Sequence, residues 1–570
     1  MKRRFIFGVL CLSLAGVQLG VGQTPATASP PAASSAPAAT APVSPGDLEQ
    51  LREKIAEQQE QIKRLQESVE AQQKLLEQSL AAAKAAAQPG STTADGTKVV
   101  PTSNVAHPRL FPAINARIGG TGQRGAAEQQ PSPLSIAIGN TQLTPFGFVD
   151  ATYFTRSTNV GSGIGTNFLG IPYNNVPAGH LSETNFSAQN SRVGFRFDST
   201  FMGAKVLGYF EADFLFNNDA NSFQITSNSA GFRMRNYFVD IQKDNFEVLA
   251  GQDWSMMTPN RRGISPLPSD IFYTQDMDTN YQLGLVWTRA PQFRFIAHPN
   301  ENVAFGVALE NPQQYIGGGS GAATTTLPAN LNAVLAGQFN SGQTSTGDPN
   351  WFPDIQAKAA FDGKMGSKEE HVEFAGLVRG FRDYVPISTP PAIKGYNTAI
   401  GFGGEANANL EVVKGFRLII NTYASDGGGR YIFGQSPDLV VLPTGAIAPL
   451  KSFSTVDGFE AQVSKKSLLY AYYGGVYITR YPVFDPTAAG STLKHPVYVG
   501  YGYPGSNSYR DGQEITGGLI QTFWKNPNYG ALSLITQYSY LFKNPWYIPT
   551  LGPKSAHTNM IYMDLRYTLP

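Results

Sequence analysis

The stretch Ser191-Arg192-Val193-Gly194-Phe195-Arg196-Phe197 alternates charged and apolar side chains. Because successive side chains of a β-strand point to opposite faces, the two arginines share one face, and Val193, Phe195 and Phe197 share the other. A strand of this kind suits a wall with lipid on one side and water on the other. Comparable stretches of about ten residues recur from Pro145 to Leu569, which is typical of a membrane-spanning β-barrel.

The composition of the 570-residue chain is compatible with this interpretation. It is 41% hydrophobic and 15% charged, and it contains 59 Gly, 35 Phe and 26 Tyr. The net charge of +1 predicts no nucleic-acid partner. After the first 25 residues no stretch is long and apolar enough for a spanning helix. Composition alone leaves a soluble β-sandwich or a secreted solenoid open.

The amino terminus predicts export. Three basic residues precede an apolar run from Phe5 to Val17, and small residues stand before Gln23, so residues 1–22 indicate a signal peptide. The single cysteine, Cys11, lies inside the apolar run. We therefore expect a mature protein without cysteine or disulfide.

A tether and a coiled coil are expected next. Residues 23–46 carry no charge and consist mainly of Pro, Ala, Ser and Thr, a composition typical of an extended tether. Residues 47–87 predict a coiled coil, and 88–144 a periplasmic linker. The helix implies self-association, most simply as a parallel trimer; the alternative is an isolated helix on a membrane or cell-wall surface. The residues at one seam position of the coiled coil recur every seven residues: Leu48, Ile55, Ile62, Val69, Leu76 and Ala83.

Connector lengths give the barrel its direction. From residue 145 to 570, long connectors alternate with short ones, as expected where external loops are long and periplasmic turns are short. A soluble sandwich gives no reason for this alternation. The count comes to about sixteen antiparallel strands, an even number that returns the carboxyl terminus to the periplasm. A barrel of this size is too wide for side chains to fill, so we expect a pore.

Charged residues on the polar faces of the strands are candidate pore-lining residues. In one interpretation they pair with one another and select no solute. In the other, an excess of arginine over carboxylate on the second to fourth strands leaves a positive wall that favours anions. The candidates are Asp150, Arg192, Arg196, Lys205, Glu211, Asp213, Arg233, Arg235 and Arg417.

The third external loop, residues 255–280, is the candidate constriction loop. Prolines at 259, 266 and 268 would stiffen it, and it carries both signs of charge. The alternative is an ordinary surface loop. Its candidate residues are Arg261, Arg262, Asp270, Asp276 and Asp278.

The chain resembles the DcaP-like family of outer-membrane porins. The resemblance rests on the order of signal peptide, coiled coil and barrel, and on four motifs: GYFEADF from Gly208, FRMRNY from Phe232, LAGQDWS from Leu249 and GGGRYI from Gly427. It implies a homotrimer, a periplasmic coiled coil, a third loop that narrows the pore, and passive uptake of small anions such as dicarboxylic and aromatic acids. The chain departs from the common pattern by ending in Leu569-Pro570.

Other functions remain open at this point. The domain organisation of the chain also resembles that of phosphate-selective porins, which makes phosphate an alternative solute. A barrel that only anchors a coiled coil reaching the peptidoglycan is a third possibility. The six histidines are scattered, and no paired His or Cys spacing occurs. We therefore expect no enzymatic activity, no cofactor and no metal site. The partners that we expect are outer-membrane lipid, further copies of the chain and small anionic solutes.

Overall fold

The computed structural model describes Lys63 and residues 132–216, 230–318, 324–340, 349–386, 395–506, 508–548 and 552–570. All of these except Lys63 belong to the second of two compact units, Ser103–Pro570. The predicted signal peptide and tether, and the coiled coil apart from Lys63, lie outside the described residues. Within the described residues, no helix is long and apolar enough to cross a membrane.

The described residues form twenty-two strands and a few short helices. The strands are β1 (Ile136–Ile138), β2 (Thr141–Arg156), β3 (Glu183–Ser187), β4 (Arg192–Phe201), β5 (Ala204–Phe216), β6 (Gly231–Lys243), β7 (Phe246–Trp254), β8 (Arg289–Asn300), β9 (Val303–Glu310), β10 (Asp354–Met365), β11 (Lys368–Val385), β12 (Gly395–Val413), β13 (Phe416–Asp426), β14 (Leu439–Val441), β15 (Ile447–Pro449), β16 (Lys451–Ser464), β17 (Ser467–Ile478), β18 (Tyr481–Phe484), β19 (Tyr498–Tyr501), β20 (Tyr509–Asn526), β21 (Gly530–Pro545) and β22 (Ala556–Thr568). The helices are α1 (Asn332–Leu335) and three 3-10 turns at Phe168–Gly170, Pro177–His180 and Gly429–Tyr431.

The long strands pair antiparallel with their neighbours and close into a barrel. Closure occurs where β2 pairs with β22, from Phe148 opposite Thr568 to Arg156 opposite Met560. Strands β3 and β4 both pair with β2, one after the other along its length, so together they fill one position in the wall. The wall therefore has sixteen positions, formed by β2, β3 with β4, β5 to β13, β16, β17 and β20 to β22. The predicted 16-stranded antiparallel barrel is confirmed.

Several boundaries differ from those that the sequence pattern suggested. Strands begin at residue 136, and the barrel strand β2 begins at 141, whereas the pattern placed the start of the barrel at 145. The second wall position is broken at residues 188–191, where the Asn190 and Ser191 side chains bond to Asp150 of β2 instead of continuing the strand. Two long loops contain hairpins of their own, β14 with β15 and β18 with β19.

The two faces of the wall alternate as expected for strands that separate lipid from a polar interior. In β22, Met560, Tyr562, Asp564 and Arg566 are buried, whereas Ile561, Met563, Leu565 and Tyr567 are 37% to 46% exposed. The exposed side chains form an apolar outer surface. The buried side chains contact loops that lie inside the barrel.

Candidate pore constriction

The segment between β7 and β8, residues 255–288, crosses the interior of the barrel. We call it the inserted loop. It is longer than the 255–280 that the sequence suggested. It bonds to side chains of β6, β10, β11, β16, β17, β20, β21 and β22, which lie on different sides of the wall. A loop with partners on so many strands lies within the barrel, not on its outer rim.

The first half of the inserted loop is held by ion pairs and by a buried lysine. The Arg261 guanidinium donates to both carboxylate oxygens of Glu460 in β16, at 2.8 and 2.6 Å. Lys358 Nζ of β10 donates to the Thr258 carbonyl at 2.9 Å and forms an ion pair with Glu373 of β11 at 3.0 Å. The Arg261 pair fixes the loop against β16 on the far side of the wall, and the Lys358 contacts fix it against β10 and β11, nearer its point of origin.

The second half of the inserted loop is held mainly through its backbone. The Met277 amide donates to Gln537 of β21 at 2.6 Å, and the Leu283 amide donates to Glu514 of β20 at 2.9 Å. Such bonds tie the path of the chain to the wall, because a backbone donor cannot move independently of its neighbours.

Gly284 allows the closest approach between the inserted loop and the wall. Its φ is +91°, and a Cβ atom there would lie 2.6 Å from the Gly475 carbonyl oxygen and 2.7 Å from that of Thr455. Only glycine combines this backbone conformation with so little space. The loop therefore lies directly on the backbones of β16 and β17.

Two aspartates of the inserted loop lie in a carboxylate-rich environment. Burial, together with the nearby carboxylates of Asp278 and Glu460, raises the pKa of Asp276 to about 8, although a hydrogen bond from Thr274 opposes the shift. Burial also raises the pKa of Asp278, against the opposing effect of Arg156. The Asp276 side chain accepts one hydrogen bond, from Thr274 at 3.0 Å, and its other oxygen has no partner among the described residues.

Arginines and two carboxylates lie on the wall facing this loop. Arg235 bonds to Glu211 at 2.5 Å and to Asp213 at 2.7 Å, and Arg233 bonds to both oxygens of Asp213 at 2.9 and 2.7 Å. Arg192 lies 3.7 Å from Glu211. Three cations thus share two anions on adjacent strands.

A further arginine, Arg289 at the start of β8, lies beside this group. Its guanidinium carbon is 5.3 Å from the ring centre of Trp254 and 5.7 Å from that of Trp287. It forms no ion pair with a carboxylate of the described residues, and its buried Nη1 has no hydrogen-bond partner there. Burial alone would raise the pKa of Tyr281, yet Arg192, Arg235 and Arg289 hold that pKa below its ordinary value. The electrostatic potential around Tyr281 is therefore positive.

A small cavity lies between Arg192 and Arg566 of the wall and residues 273–281 of the inserted loop. The loop contributes both polar and charged groups to it, and Arg192 and Arg566 face the loop from the wall. The cavity is lined by Asn190, Arg192, Tyr273, Thr274, Gln275, Asp276, Met277, Asp278, Thr279, Tyr281 and Arg566.

The remaining residues singled out in the sequence are distributed more widely. Asp150 pairs with Arg566 at 2.5 Å, and Arg196 pairs with Asp198 at 2.7 Å, two positions further along the same strand. Arg417 lies 3.8 Å from Glu369. Lys205 is exposed at the start of β5.

Three charged residues at the first turn of the inserted loop, Arg261, Arg262 and Asp270, do not line the cavity. The backbone amides of Arg261 and Arg262 donate to the Asp270 carbonyl at 2.6 and 3.3 Å, which closes this turn. Burial raises the pKa of Asp270, while Ser265 and Arg262 lower it. These contacts shape the loop, whereas the cavity is lined by its residues 273–281.

Sequence reasoning missed several residues around the cavity. Arg289, Tyr273, Tyr281 and Trp287 were not singled out, and Trp254 was named only as part of the LAGQDWS motif. The sequence offers one signal for the aromatic residues of this group, which is that they lie in or beside a charged loop. Among the described residues, no group of three or more His, Cys, Asp or Glu side chains is placed to hold a metal ion.

A closed 16-stranded barrel with a loop crossing its interior defines the fold class of outer-membrane channels. The fold is similar to that of the outer membrane channel DcaP of Acinetobacter baumannii, with a TM-score of 0.52, 15% identity, and coverage of 76% of this chain and 99% of that chain. The resemblance to DcaP is thus confirmed at the level of the fold. No protein-family model matches the chain, and no curated protein matches its sequence.

Two other solved structures are more distantly similar. Salmonella typhi OmpF in complex with daunomycin gives a TM-score of 0.42 at 10% identity, covering 76% of this chain and 100% of that chain. Pseudomonas putida OprB gives 0.40 at 9% identity, covering 74% and 94%.

Proposed function

We propose that the chain is a porin of an outer membrane, in which small solutes diffuse passively through the barrel and anions are preferred. The fold, with its apolar outer surface and polar interior, supports the membrane location. The inserted loop acts as the constriction. It is attached to many strands of the wall and occupies part of the barrel interior, so solutes must pass through the narrower space beside it. The amino-terminal segment lies in the periplasm.

The observation that carries the anion preference is the surplus of arginine beside the constriction. Arg192, Arg233 and Arg235 share the carboxylates of Glu211 and Asp213, and Arg289 beside them forms no ion pair with a carboxylate of the described residues. Paired charges select little, whereas an unpaired guanidinium attracts carboxylates and other small anions. Dicarboxylates and aromatic acids are the solute classes that we expect to pass, with phosphate as the alternative.

Single-channel recording in planar bilayers tests this proposal. With a salt gradient across the bilayer, the reversal potential should have the sign of an anion-preferring pore. Adding a dicarboxylate or phosphate to one side should reduce the chloride current, and the more effective of the two identifies the better ligand. Absence of any current would contradict the porin, and a reversal potential of the opposite sign would contradict the anion preference.

We further propose that copies of the chain associate, with the predicted coiled coil as one contact and peptidoglycan as a further partner of that segment. Deleting residues 48–86 should leave the barrel intact but lower the mass of the complex at high detergent concentration. Light scattering of the purified protein measures this mass. An unchanged mass at every detergent concentration would contradict a role of the helix in assembly.

A further inference from the structure

Lysines are unevenly distributed around the rim of the barrel that carries the short turns. This rim also holds both ends of the described barrel, since Ser132 Oγ donates to the Pro570 carbonyl at 3.0 Å. On one half of it, exposed or half-exposed lysines occupy the turns that join β10 to β11, β12 to β13, β16 to β17 and β20 to β21. We call these residues the lysine arc: Lys364, Lys368, Lys414, Lys465, Lys466 and Lys525.

The lysine arc is one continuous surface, because each of its turns is bonded to the next. The bonds run from Lys414 Nζ to the Ser367 carbonyl at 3.2 Å, from the Gln462 amide to the Gly415 carbonyl at 2.7 Å, and from the Thr522 amide to the Lys466 carbonyl at 2.7 Å. The arc therefore spans eight neighbouring strands of the wall.

Few carboxylates balance these lysines. In residues 364–370, 411–417, 463–467 and 525–530, six lysines and Arg417 stand against Glu369, Glu370 and Glu411. The Glu411 side chain is fully buried, accepts from the Glu369 amide at 3.2 Å and lies 3.4 Å from Lys414. Glu369 lies 3.8 Å from Arg417. Two of the three carboxylates are thus engaged by the wall itself, and the arc keeps a surplus of positive charge.

Two lysines of the arc bind only weak partners through their side chains. Lys368 Nζ donates to the Val412 carbonyl and Lys466 Nζ to the Phe523 carbonyl, each at 3.1 Å. A backbone carbonyl carries no net charge, and a charged acceptor forms the stronger hydrogen bond with an ammonium group. These ammonium groups therefore have capacity for an anion.

The other half of the same rim shows no such surplus. The turns that join β4 to β5, β6 to β7 and β8 to β9 carry two lysines, Lys205 and Lys243, beside Asp198, Asp244 and Glu301. A general need for solubility would act on both halves alike. The lysine arc therefore indicates a partner on one side of the barrel.

Aromatic side chains flank the lysine arc on the outer surface of the barrel. Trp524 and Tyr567 stack with their ring centres 6.3 Å apart and are 41% and 37% exposed, and Phe416 stacks on Phe459 at 5.3 Å. Such rings concentrate where the hydrocarbon of a membrane meets its headgroups. Lysine stems lie along apolar surface while their ammonium groups reach the polar layer. The arc thus lies at the level of lipid headgroups.

We infer that the lysine arc binds the headgroups of anionic phospholipids in the leaflet on the short-turn side of the membrane. Clustered lysines at a membrane surface are attracted by anionic lipid, and each ammonium can donate to a phosphate oxygen. A zwitterionic headgroup adds a positive charge that the surplus of lysine repels, so anionic lipid is preferred. The inference rests on the proposed membrane location.

Lipid selectivity of two matched variants tests this inference. Lys465→Gln/Lys466→Gln removes two charges from the lysine arc, and Lys205→Gln/Lys243→Gln removes two from the other half of the rim. The full-length wild type and both variants are reconstituted into phosphatidylcholine vesicles that contain a trace of spin-labelled phosphatidylglycerol or spin-labelled phosphatidylcholine. Electron paramagnetic resonance measures the fraction of each labelled lipid that the protein immobilises, and ion current through the same preparations reports the pore.

We expect the wild type and the Lys205→Gln/Lys243→Gln variant to immobilise more phosphatidylglycerol than phosphatidylcholine. The Lys465→Gln/Lys466→Gln variant should lose most of this preference while keeping its ion current. No preference in the wild type, or an equal loss in both variants, would overturn the inference and leave the porin intact. Inorganic phosphate that abolishes the preference, where chloride of equal ionic strength does not, would assign the arc to free anions and also overturn it. Absence of any immobilised lipid would overturn the membrane location, and the inference with it.

Discussion

Arg261 of the inserted loop and Glu460 of β16 form a two-pronged ion pair across the interior of the barrel, with N to O distances of 2.8 and 2.6 Å. The Glu460 side chain is fully buried and also accepts from Tyr472 at 2.7 Å. Removing one partner of such a pair leaves the other charge without compensation, which typically costs about 3 to 5 kcal/mol. The pair is therefore expected to set where the loop lies.

Replacing Glu460 should widen or destabilise the constriction. In Glu460→Gln, the Arg261 guanidinium loses its carboxylate, and the first half of the loop can leave the wall. We expect a larger and noisier single-channel conductance. Glu369→Gln is the control, because Glu369 is also a carboxylate of the wall, but the arginine beside it, Arg417 at 3.8 Å, belongs to β13 and not to the inserted loop. Equal conductance in both variants would contradict the role assigned to Glu460.

Arg289 should contribute to anion preference without being needed for folding. Its charge has no carboxylate partner among the described residues, so Arg289→Gln leaves no orphaned anion behind. A unit charge acting at about 4 Å in water is worth about 1 kcal/mol, so the permeability ratio of anion to cation should fall about fivefold. Reversal potentials in a salt gradient measure this ratio. Arg289→Lys retains the charge and should retain most of the preference, and a loss as large as that in the Gln variant would argue against a charge effect.

The inserted loop should loosen as the pH rises toward and beyond 8. The folded state holds a proton on Asp276 that the unfolded chain would release, because burial raises its pKa to about 8. Between the ordinary pKa of an aspartate and about 8, stability therefore falls as pH rises. Above that range a charged Asp276 faces Asp278 and Glu460. Hydrogen exchange of residues 273–283 should accelerate from pH 6 to pH 9, after correction for the intrinsic rate, and Asp276→Asn should reduce the change, with the remainder due to Asp278.

Gly284 should be intolerant of any side chain. In Gly284→Val the new atoms would meet the Gly475 and Thr455 carbonyls, and overpacking of this kind costs about 1 to 3 kcal/mol. We expect a lower temperature of unfolding and a changed conductance. Gly366→Val is the matched control: its φ is also positive, at +67°, but a Cβ there meets no atom within 4 Å. If both variants lose the same stability, the cost is backbone strain and the contact with the wall is unimportant.

The strands were predictable because each carries its own signal. The alternation around Arg192 and Arg196 depends only on neighbouring residues, and the lengths of connectors can be read directly from the sequence. The pairing of Arg196 with Asp198 could have been predicted as well, since residues two apart share a face. Its charge is therefore neutralised locally and adds little to a positive wall.

The composition of the constriction was not predictable in the same way. Arg289 matters because it forms no ion pair with a carboxylate of the described residues, and that depends on how a long loop folds back across the barrel. Asp276 and Glu460 are 184 residues apart in sequence, and only the path of the loop brings them near each other. Local patterns contain no information about such distances. The break at residues 188–191 was missed for a related reason, because it is caused by bonds to another strand.

The pairing of β2 with β22 has a consequence for how the protein is made. Asp150 and Arg566 bond across this seam although 416 residues separate them. Contacts between such distant residues form slowly, because the entropy of closing a long loop is lost before the bonds that stabilise it can form. Until the last strand has been synthesised and exported, the first strand has an unpaired edge, which is prone to aggregation. The unfinished chain must therefore be protected during its passage to the membrane, and the rate at which it closes, more than the strength of any one pair, determines how much of it survives.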